Sequence, residues 1–169
     1  MPIINLQLEV KAPVEVCFDL SRSIDVHMLS TAKTQEKAVA GVVAGLIDLQ
    51  ETVTWQAVHF GVKQKLTSVI THFERPYYFV DEMVSGAFKR FKHEHKFTAV
   101  SPTTTSITES FDYTSPLGQL GKIADWLFLE RYMRQLLQDR NEVIKQVAET
   151  DEWKKYLQVE KVVVNAGRV

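Results

Sequence analysis

The chain has 169 residues, of which 45% are hydrophobic and 24% charged, as in one globular domain. Its 20 Lys and Arg residues almost balance 21 Asp and Glu residues, giving a formal net charge of −1. We therefore expect neither nucleic acid nor an anionic membrane as the main partner. The single cysteine, Cys17, cannot form an internal disulfide; this indicates a reducing compartment, and we expect the cytoplasm.

The first predicted element is a strand from Ile4 to Val10, where apolar and polar residues alternate with the period of a half-buried strand. Pro13 follows, at a position that the first turn of a helix tolerates. The apolar spacing then predicts two short helices, Val14 to Leu20 and Ile24 to Leu29, with a break near Ser21–Ser23. The N-terminus lacks the positive start and apolar stretch of a secretory signal.

The longest apolar run, Ala38 to Ile47, has ten residues, about half of the ~20 that a membrane-spanning helix needs. Gly41 and Gly45 within it form a GxxxG motif, which indicates helix dimerisation only inside a full-length span. We assign the motif no role and expect no stable membrane insertion.

The middle of the chain is almost entirely strand-like, and Gly and Pro residues divide it. The candidate strands are Thr34–Ala40, Glu51–Phe60, Val62–Phe73, Tyr77–Ser85, Phe88–Val100 and Thr104–Tyr113. Short turns between consecutive strands predict an antiparallel meander. Since a twelve-residue strand is roughly 40 Å long, strands of this length in a small domain must curve.

A helical period begins after Pro116 and continues to about Ala148. The apolar stripe changes face along it, so we expect the helix to bend or to start late, with Gly118 and Gly121 as weak points. One face carries Leu117, Leu120, Ala124, Leu127 and Phe128, and the other carries Leu129, Tyr132, Met133, Leu136, Leu137 and Ile144. The segment from Thr150 to Val169 has no clear place: it packs on the outside of the sheet or is partly mobile.

This order of elements predicts an α+β fold, with a long helix laid across a curved sheet and a cavity between them. The chain resembles the START-like, helix-grip superfamily (SRPBCC, the polyketide cyclase/dehydrase and lipid-transport type). The resemblance rests on Trp55-x-Ala57-x-His59-Phe60-Gly61, Phe73-x-Arg75-Pro76, Phe79-x-Asp81-Glu82-Met83, Gly86-x-Phe88, His93-x-His95-x-Phe97 and Pro116-Leu117-Gly118.

The resemblance covers about residues 3 to 148. It implies a sheet of about seven antiparallel strands wrapped round the long C-terminal helix, with two short helices after the first strand. We therefore divide the chain into a domain at 1–148 and a C-terminal extension at 149–169. The superfamily includes lipid carriers, ring cyclases and hormone receptors, so the resemblance is specific for fold and weak for chemistry.

The segment Lys89 to Phe97 carries the most conspicuous polar pattern. On a strand, Arg90, Lys92, Glu94 and Lys96 share one face; we interpret that face as solvent-exposed, the alternative being an anion-binding patch. The opposite face carries Phe91, His93, His95 and Phe97 and points toward the expected cavity.

Two histidines at this spacing can ligate one metal ion, but a site needs a third ligand. Asp81 or Glu109 could supply it if the strand register allows, and Glu51, His59 or His72 less plausibly. We predict no metal and no cofactor. The remaining interpretations are that His93 and His95 polarise a carbonyl or hydroxyl of a ligand, or that they are buried structural residues.

Glu109 shares a strand face with large apolar residues, so its pKa is raised unless it is paired. A raised pKa would suit a general acid or base; we favour a structural pair with a histidine, and the same two readings apply to Asp81. Cys17 is interpreted as core filler.

Three functions stay open. The first is a non-catalytic carrier or sensor that binds a hydrophobic or aromatic small molecule, lipid or polyketide-like. The second is a cyclase or dehydrase using His93, His95 and Glu109, and the third is an interaction protein that uses its C-terminal tail. We expect a monomer or weak homodimer. The predicted ligand-binding residues are Trp55, Phe79, Asp81, Met83, Phe91, His93, His95, Phe97, Glu109, Phe111, Tyr113, Leu120, Ala124, Leu127 and Phe128.

Overall fold

The computed structural model describes residues 2–59, 61–116, 118, 121, 123 and 125–165. Its strands are β1 (Ile3–Val10), β2 (Lys37–Ala44), β3 (Thr52–His59), β4 (Val62–Glu74), β5 (Tyr78–Ser85), β6 (Arg90–Ser101), β7 (Thr104–Thr114) and β8 (Val162–Val164). Its α-helices are α1 (Val14–Ser21), α2 (Ile24–Ser30), α3 (Glu130–Ala148) and α4 (Trp153–Leu157). A 3-10 turn (Ala32–Thr34) precedes β2, and a π-helical turn (Asp125–Leu129) leads into α3. The expected α+β architecture is confirmed.

All eight strands belong to one curved sheet in the order β1-β7-β6-β5-β4-β3-β2-β8, and every neighbouring pair is antiparallel. The predicted meander from β2 to β7 is confirmed. The two short helices are also confirmed, and the break between them has a local cause: the hydroxyl of Ser23 accepts a hydrogen bond from the backbone N–H of Val26 and caps α2.

The strand β2 (Lys37–Ala44) differs in its boundaries from the predicted strand Thr34–Ala40, because its pairing continues past Gly41. A bulge lies between Ala38 and Ala40, and Gly41 has a φ of 74°, which only glycine adopts without strain. A Cβ atom at Gly41 would lie 2.1 Å from the carbonyl oxygen of Thr52. The glycine therefore lets two strands approach closely; it does not end the strand.

The long helix is irregular near its start, where the described residues Gly121 and Ile123 are already helical; the expected bend or late start stays a prediction. The helix α3 begins at Glu130, directly after the π-helical turn Asp125–Leu129. Within that turn Trp126 is 83% exposed and Leu127 61% exposed, whereas Leu137, Ile144 and Val147 of α3 are buried. Helices made of described residues are too short or too polar to cross a membrane.

The C-terminal segment, which the sequence left unplaced, joins the fold at two points. The side chains of Trp153, Tyr156 and Leu157 in α4 pack against the main hydrophobic core. Farther on, β8 pairs with the free edge of β2, with Val163 opposite Val42. The ammonium of Lys161 lies 2.9 Å from a carboxylate oxygen of Glu51. The tail thus covers the second half of β2, from Gly41 to Ala44.

Gly45 offers a test of this edge. Its φ is 80° and an added Cβ would lie 2.8 Å from the Cα of Lys161, whereas Gly61 has a φ of 76° and open space around it. Both Gly→Ala variants incur the left-handed backbone cost of about 1–2 kcal/mol. We expect Gly45→Ala to lose about 1 kcal/mol or more beyond Gly61→Ala in urea unfolding, because only there does the methyl group collide with backbone.

Removing residues 160–169 from both variants takes away the colliding backbone. The difference between the two substitutions should then disappear. If the difference persists in the shortened chains, the contact between Gly45 and the tail does not form in solution.

Candidate ligand cavity and its polar wall

A cavity with a volume of ≈ 380 Å³ lies between the concave face of the sheet and α3. Most of its lining is apolar: Ile24, Ile47, Val53, Trp55, Ala57, Leu66, Ile70, Phe79, Phe88, Phe91, Phe111, Phe128, Leu129, Met133, Leu136 and Leu137. Small-molecule sites typically enclose roughly 300–1,000 Å³ and combine apolar walls with a few polar groups. The cavity is therefore large enough for a small hydrophobic ligand.

The predicted ligand-binding residues fall into three groups. Those that line the cavity are Trp55, Phe79, Asp81, Phe91, His93, Phe111 and Phe128. Phe97, His95, Glu109 and Tyr113 are buried behind the wall, Met83 packs on a second apolar cluster, and Leu127 is exposed. Leu120 and Ala124 lie outside the described residues.

The helix contributes to the cavity through residues that the predicted set did not contain. Leu129, Tyr132, Met133, Leu136 and Leu137 line it; they form the second apolar face that the sequence had already indicated. Arg140, one turn farther on, was not singled out at all. A basic residue buried in an amphipathic helix gives no distinct sequence signal, since its periodicity is that of any polar position.

Strand register brings four polar side chains together on the cavity side of the sheet. Asp81 in β5 lies directly opposite His93 in β6, and His95 lies directly opposite Glu109 in β7. Directly opposed residues in an antiparallel pair project on the same face. The register condition that the sequence could not settle is therefore met for both carboxylates.

Glu109 is the buried centre of this cluster, with 1% of its surface exposed. One carboxylate oxygen accepts hydrogen bonds from Nδ1 of His95 (2.9 Å) and Nη1 of Arg140 (3.0 Å), and the other accepts one from Nδ2 of Asn141 (2.9 Å). Burial raises the pKa of Glu109, but its hydrogen bonds and the Arg140 charge outweigh burial and hold that pKa well below its usual range. Glu109 is thus held as a carboxylate paired with His95, Arg140 and Asn141, which fits the favoured structural pair.

His95 bridges two carboxylates. Its Nε2 lies 3.0 Å from Oδ1 of Asp81, while Nδ1 faces Glu109. Burial lowers the pKa of His95, yet the hydrogen bonds to Asp81 and Glu109 raise it further, so the pKa lies above its ordinary value. Because each nitrogen faces a carboxylate, a protonated His95 can donate to both Asp81 and Glu109.

His93 has no such partners. Its Nδ1 lies 3.7 Å from Asp81 and its Nε2 3.8 Å from Glu109, and both distances exceed a hydrogen bond. Burial and the neighbouring His95 charge lower the pKa of His93, so the ring is neutral. Of the four clustered side chains on the sheet, Asp81 and His93 line the cavity. A neutral imidazole beside a carboxylate can orient a hydroxyl or carbonyl group of a ligand.

A second polar group lies elsewhere on the cavity wall. Nε2 of His27 lies 3.0 Å from Glu36, and the His27 ring stacks on Trp55 with centroids 4.0 Å apart. Nδ1 of His59 lies 2.7 Å from the hydroxyl of Tyr132. The mostly apolar wall therefore carries this second polar group as well as the pair Asp81 and His93.

Substituting Glu109 tests the buried cluster. Glu109→Gln keeps the shape of the side chain but leaves Arg140 without its buried counter-charge, so we expect a loss of about 3 kcal/mol in the free energy of unfolding. Asp112→Asn on the same strand is the matched control; its partner Arg90 is 42% exposed, and the expected loss is below about 1 kcal/mol. Equal losses in denaturant unfolding would contradict the role given to Glu109.

Comparisons with known proteins support the architecture. No family model matches the chain, and no curated protein matches it. Among solved structures, the protein TTHA0849 from Thermus thermophilus superposes with a TM-score of 0.70 at 14% identity, over 86% of this chain and 95% of that one. A START superfamily protein from Mycobacterium smegmatis gives 0.60 at 9% identity, over 90% and 98%.

The di-domain ARO/CYC StfQ from the steffimycin biosynthetic pathway gives a TM-score of 0.62 at 13% identity, over 90% of this chain and 47% of that one. Identities this low establish shared architecture and carry no information on ligand or activity. The resemblance seen in the sequence is therefore confirmed at the level of architecture: the chain has the START-like, helix-grip fold.

Proposed function

We propose that this protein binds a hydrophobic or aromatic small molecule, a lipid or a polyketide-like compound, in the cavity between the sheet and α3. The observation that carries the proposal is the cavity itself. If larger side chains filled the space under the helix, this face of the sheet would be part of a close-packed hydrophobic core. Here ≈ 380 Å³ stays open beneath Met133 and Leu137.

The distribution of polar groups supports binding of one oriented ligand. Asp81 and His93 stand at one place in the wall, and His27, Glu36 and His59 at another. Apolar contact supplies most of the affinity in such a site, while a few polar groups select orientation. The similarity of this fold to a START superfamily protein and to StfQ is consistent with this class of ligand.

Within this proposal the protein acts as a carrier or sensor in the cytoplasm, as a monomer or weak homodimer, without nucleic acid. The C-terminal tail supports this better than the alternative of an interaction protein. Its aromatic residues, Trp153 and Tyr156, already pack on the chain's own core.

Filling the cavity is the direct test. Ala57 in β3 is buried and lines the space, so Ala57→Phe should occupy it, whereas Ala99 in β6 is exposed and serves as the control for the same substitution. We expect the naphthalene dye ANS and oleate to bind the wild type and Ala99→Phe equally, and to bind Ala57→Phe at least roughly tenfold more weakly, a loss of about 1.4 kcal/mol.

Native mass spectrometry of gently purified protein provides the second readout. A co-purified small molecule should be present in the wild type and absent from Ala57→Phe. If neither probe binds the wild type and no molecule co-purifies, the cavity is not a hydrophobic binding site; if Ala57→Phe binds normally, the site is elsewhere.

A second candidate function, a cyclase or dehydrase, rests on the carboxylate of Asp81 and the neutral ring of His93 side by side at the cavity. The other two predicted catalytic residues, His95 and Glu109, are buried behind Asp81 and His93 and do not line the cavity. We expect His93→Phe to abolish ring closure of linear poly-β-ketone substrates while dye binding persists, because only the proton-transfer group is lost. Turnover unchanged in His93→Phe would end this candidate.

A further inference from the structure

We propose that Asp81, His93 and His95 form a binding site for a divalent transition-metal ion, Zn²⁺ or one of its first-row neighbours, with open coordination positions toward the cavity. The sequence offered two histidines and no certain third ligand. The register of β5 against β6 supplies it by placing Asp81 opposite His93. This inference is independent of which hydrophobic ligand the cavity binds.

The spacing of the donor atoms suits one shared ion. One nitrogen of each ring and one carboxylate oxygen of Asp81 all lie within 4.8 Å of one another. Oδ1 of Asp81 is 3.0 Å from Nε2 of His95 and 3.7 Å from Nδ1 of His93. Two donors each ~2.1 Å from one ion lie about 3.0 Å apart at a right angle and about 3.4 Å apart at the tetrahedral angle. The two distances to Asp81 lie within about 0.3 Å of these values.

The surroundings match what metal-bound histidines require behind them. A ligating histidine usually donates its second nitrogen to a carboxylate, which fixes the ring. Nδ1 of His95 already faces Glu109 at 2.9 Å, and Nε2 of His93 lies 3.8 Å from the other oxygen of the same carboxylate. Arg140 and Asn141 hold Glu109 in place. One outer carboxylate therefore serves both rings, and the ion takes the place of the proton that Nε2 of His95 can donate to Asp81, which is released to solvent.

The unsatisfied state of His93 is the second, independent indication. The residue is 6% exposed, and in the described part of the chain its Nε2 has no hydrogen-bond partner. A buried polar atom without a partner costs about 1–3 kcal/mol. An ion bound at Nδ1 would leave the ring proton on Nε2, which faces the Glu109 carboxylate 3.8 Å away.

The donor set defines the class of ion. Two imidazoles and one carboxylate favour Zn²⁺, Fe²⁺ and Co²⁺, whereas Mg²⁺ and Ca²⁺ prefer oxygen ligands. With three protein donors, at least one position remains for water or for a ligand oxygen. Because Asp81 and His93 line the cavity, that position faces the space where the hydrophobic molecule is proposed to bind.

Co²⁺ is the probe for the test, used on the full chain without a histidine tag and after treatment with a chelator. We expect visible d–d absorption that saturates at one Co²⁺ per chain, displacement by Zn²⁺, and no displacement by Mg²⁺. His93→Leu should weaken Co²⁺ binding at least about 100-fold, as removal of a ligand exceeds the 10–100-fold effect of an outer-shell change. His72→Leu, at an exposed histidine in β4, should leave binding unchanged.

His93 makes no hydrogen bond to the neighbouring carboxylates, so His93→Leu should fold, and circular dichroism and ANS binding check this. Failure of Co²⁺ and Zn²⁺ to bind the folded wild type overturns the inference, as does equal binding by wild type and His93→Leu. Loss of Co²⁺ binding in His93→Leu with ANS binding retained supports it. The proposed cavity function stands or falls separately, through Ala57→Phe.

Discussion

The buried carboxylate of Glu109 is the interaction on which the arrangement of sheet and helix depends. It receives His95 from β6 and both Arg140 and Asn141 from α3, and Arg140 extends the link to the carbonyl of Ser21 in α1. An ionised group at this depth is stable only while its partners surround it. The position of α3 over the sheet is thus set by charge and hydrogen-bond geometry as well as by apolar packing.

This polar anchor explains how a cavity can persist in so small a protein. Around Phe18, three phenylalanines pack edge-on at 5.3–5.4 Å. The cavity wall draws on both hydrophobic clusters, with Ile70 and Phe79 from the one around Phe18 and Phe91, Phe111 and Leu137 from the other. Arg140, which binds Glu109, also lines the cavity, so the anchor holds the helix at the wall of the open space.

Sequence periodicity was sufficient to locate most strands and helices, because an element that buries one face repeats apolar residues with its own structural period. It correctly placed β3 to β7, both short helices and the solvent-facing row Arg90, Lys92, Glu94 and Lys96. It failed at Gly41, where a bulge continues the strand, since glycine's preference for positive φ is the same at a turn and at a bulge.

The sequence predicted which residues of the candidate site share a strand face, but it did not predict which of their side chains contact each other. Alternation put His93, His95 and Glu109 on the concave side, but which residues meet depends on register, and register is set by the pairing of whole strands. Arg140 was missed because its partner lies on β7, far away in the sequence. The helix face that lines the cavity was predicted from the sequence. Only the structure shows that Met133 and Leu137 line the cavity while Leu127 is exposed.

The pairing of β8 with β2 has a consequence beyond the fold. Without it, the edge of the sheet would be the apolar sequence from Ala38 to Ala44, a surface on which another chain could add a strand. With it, the stretch from Gly41 to Ala44 is paired, and the strand exposed there is three residues long. The strand β8 contributes no residue to the described lining of the cavity, so protection of this edge and the shape of the cavity can change through separate mutations.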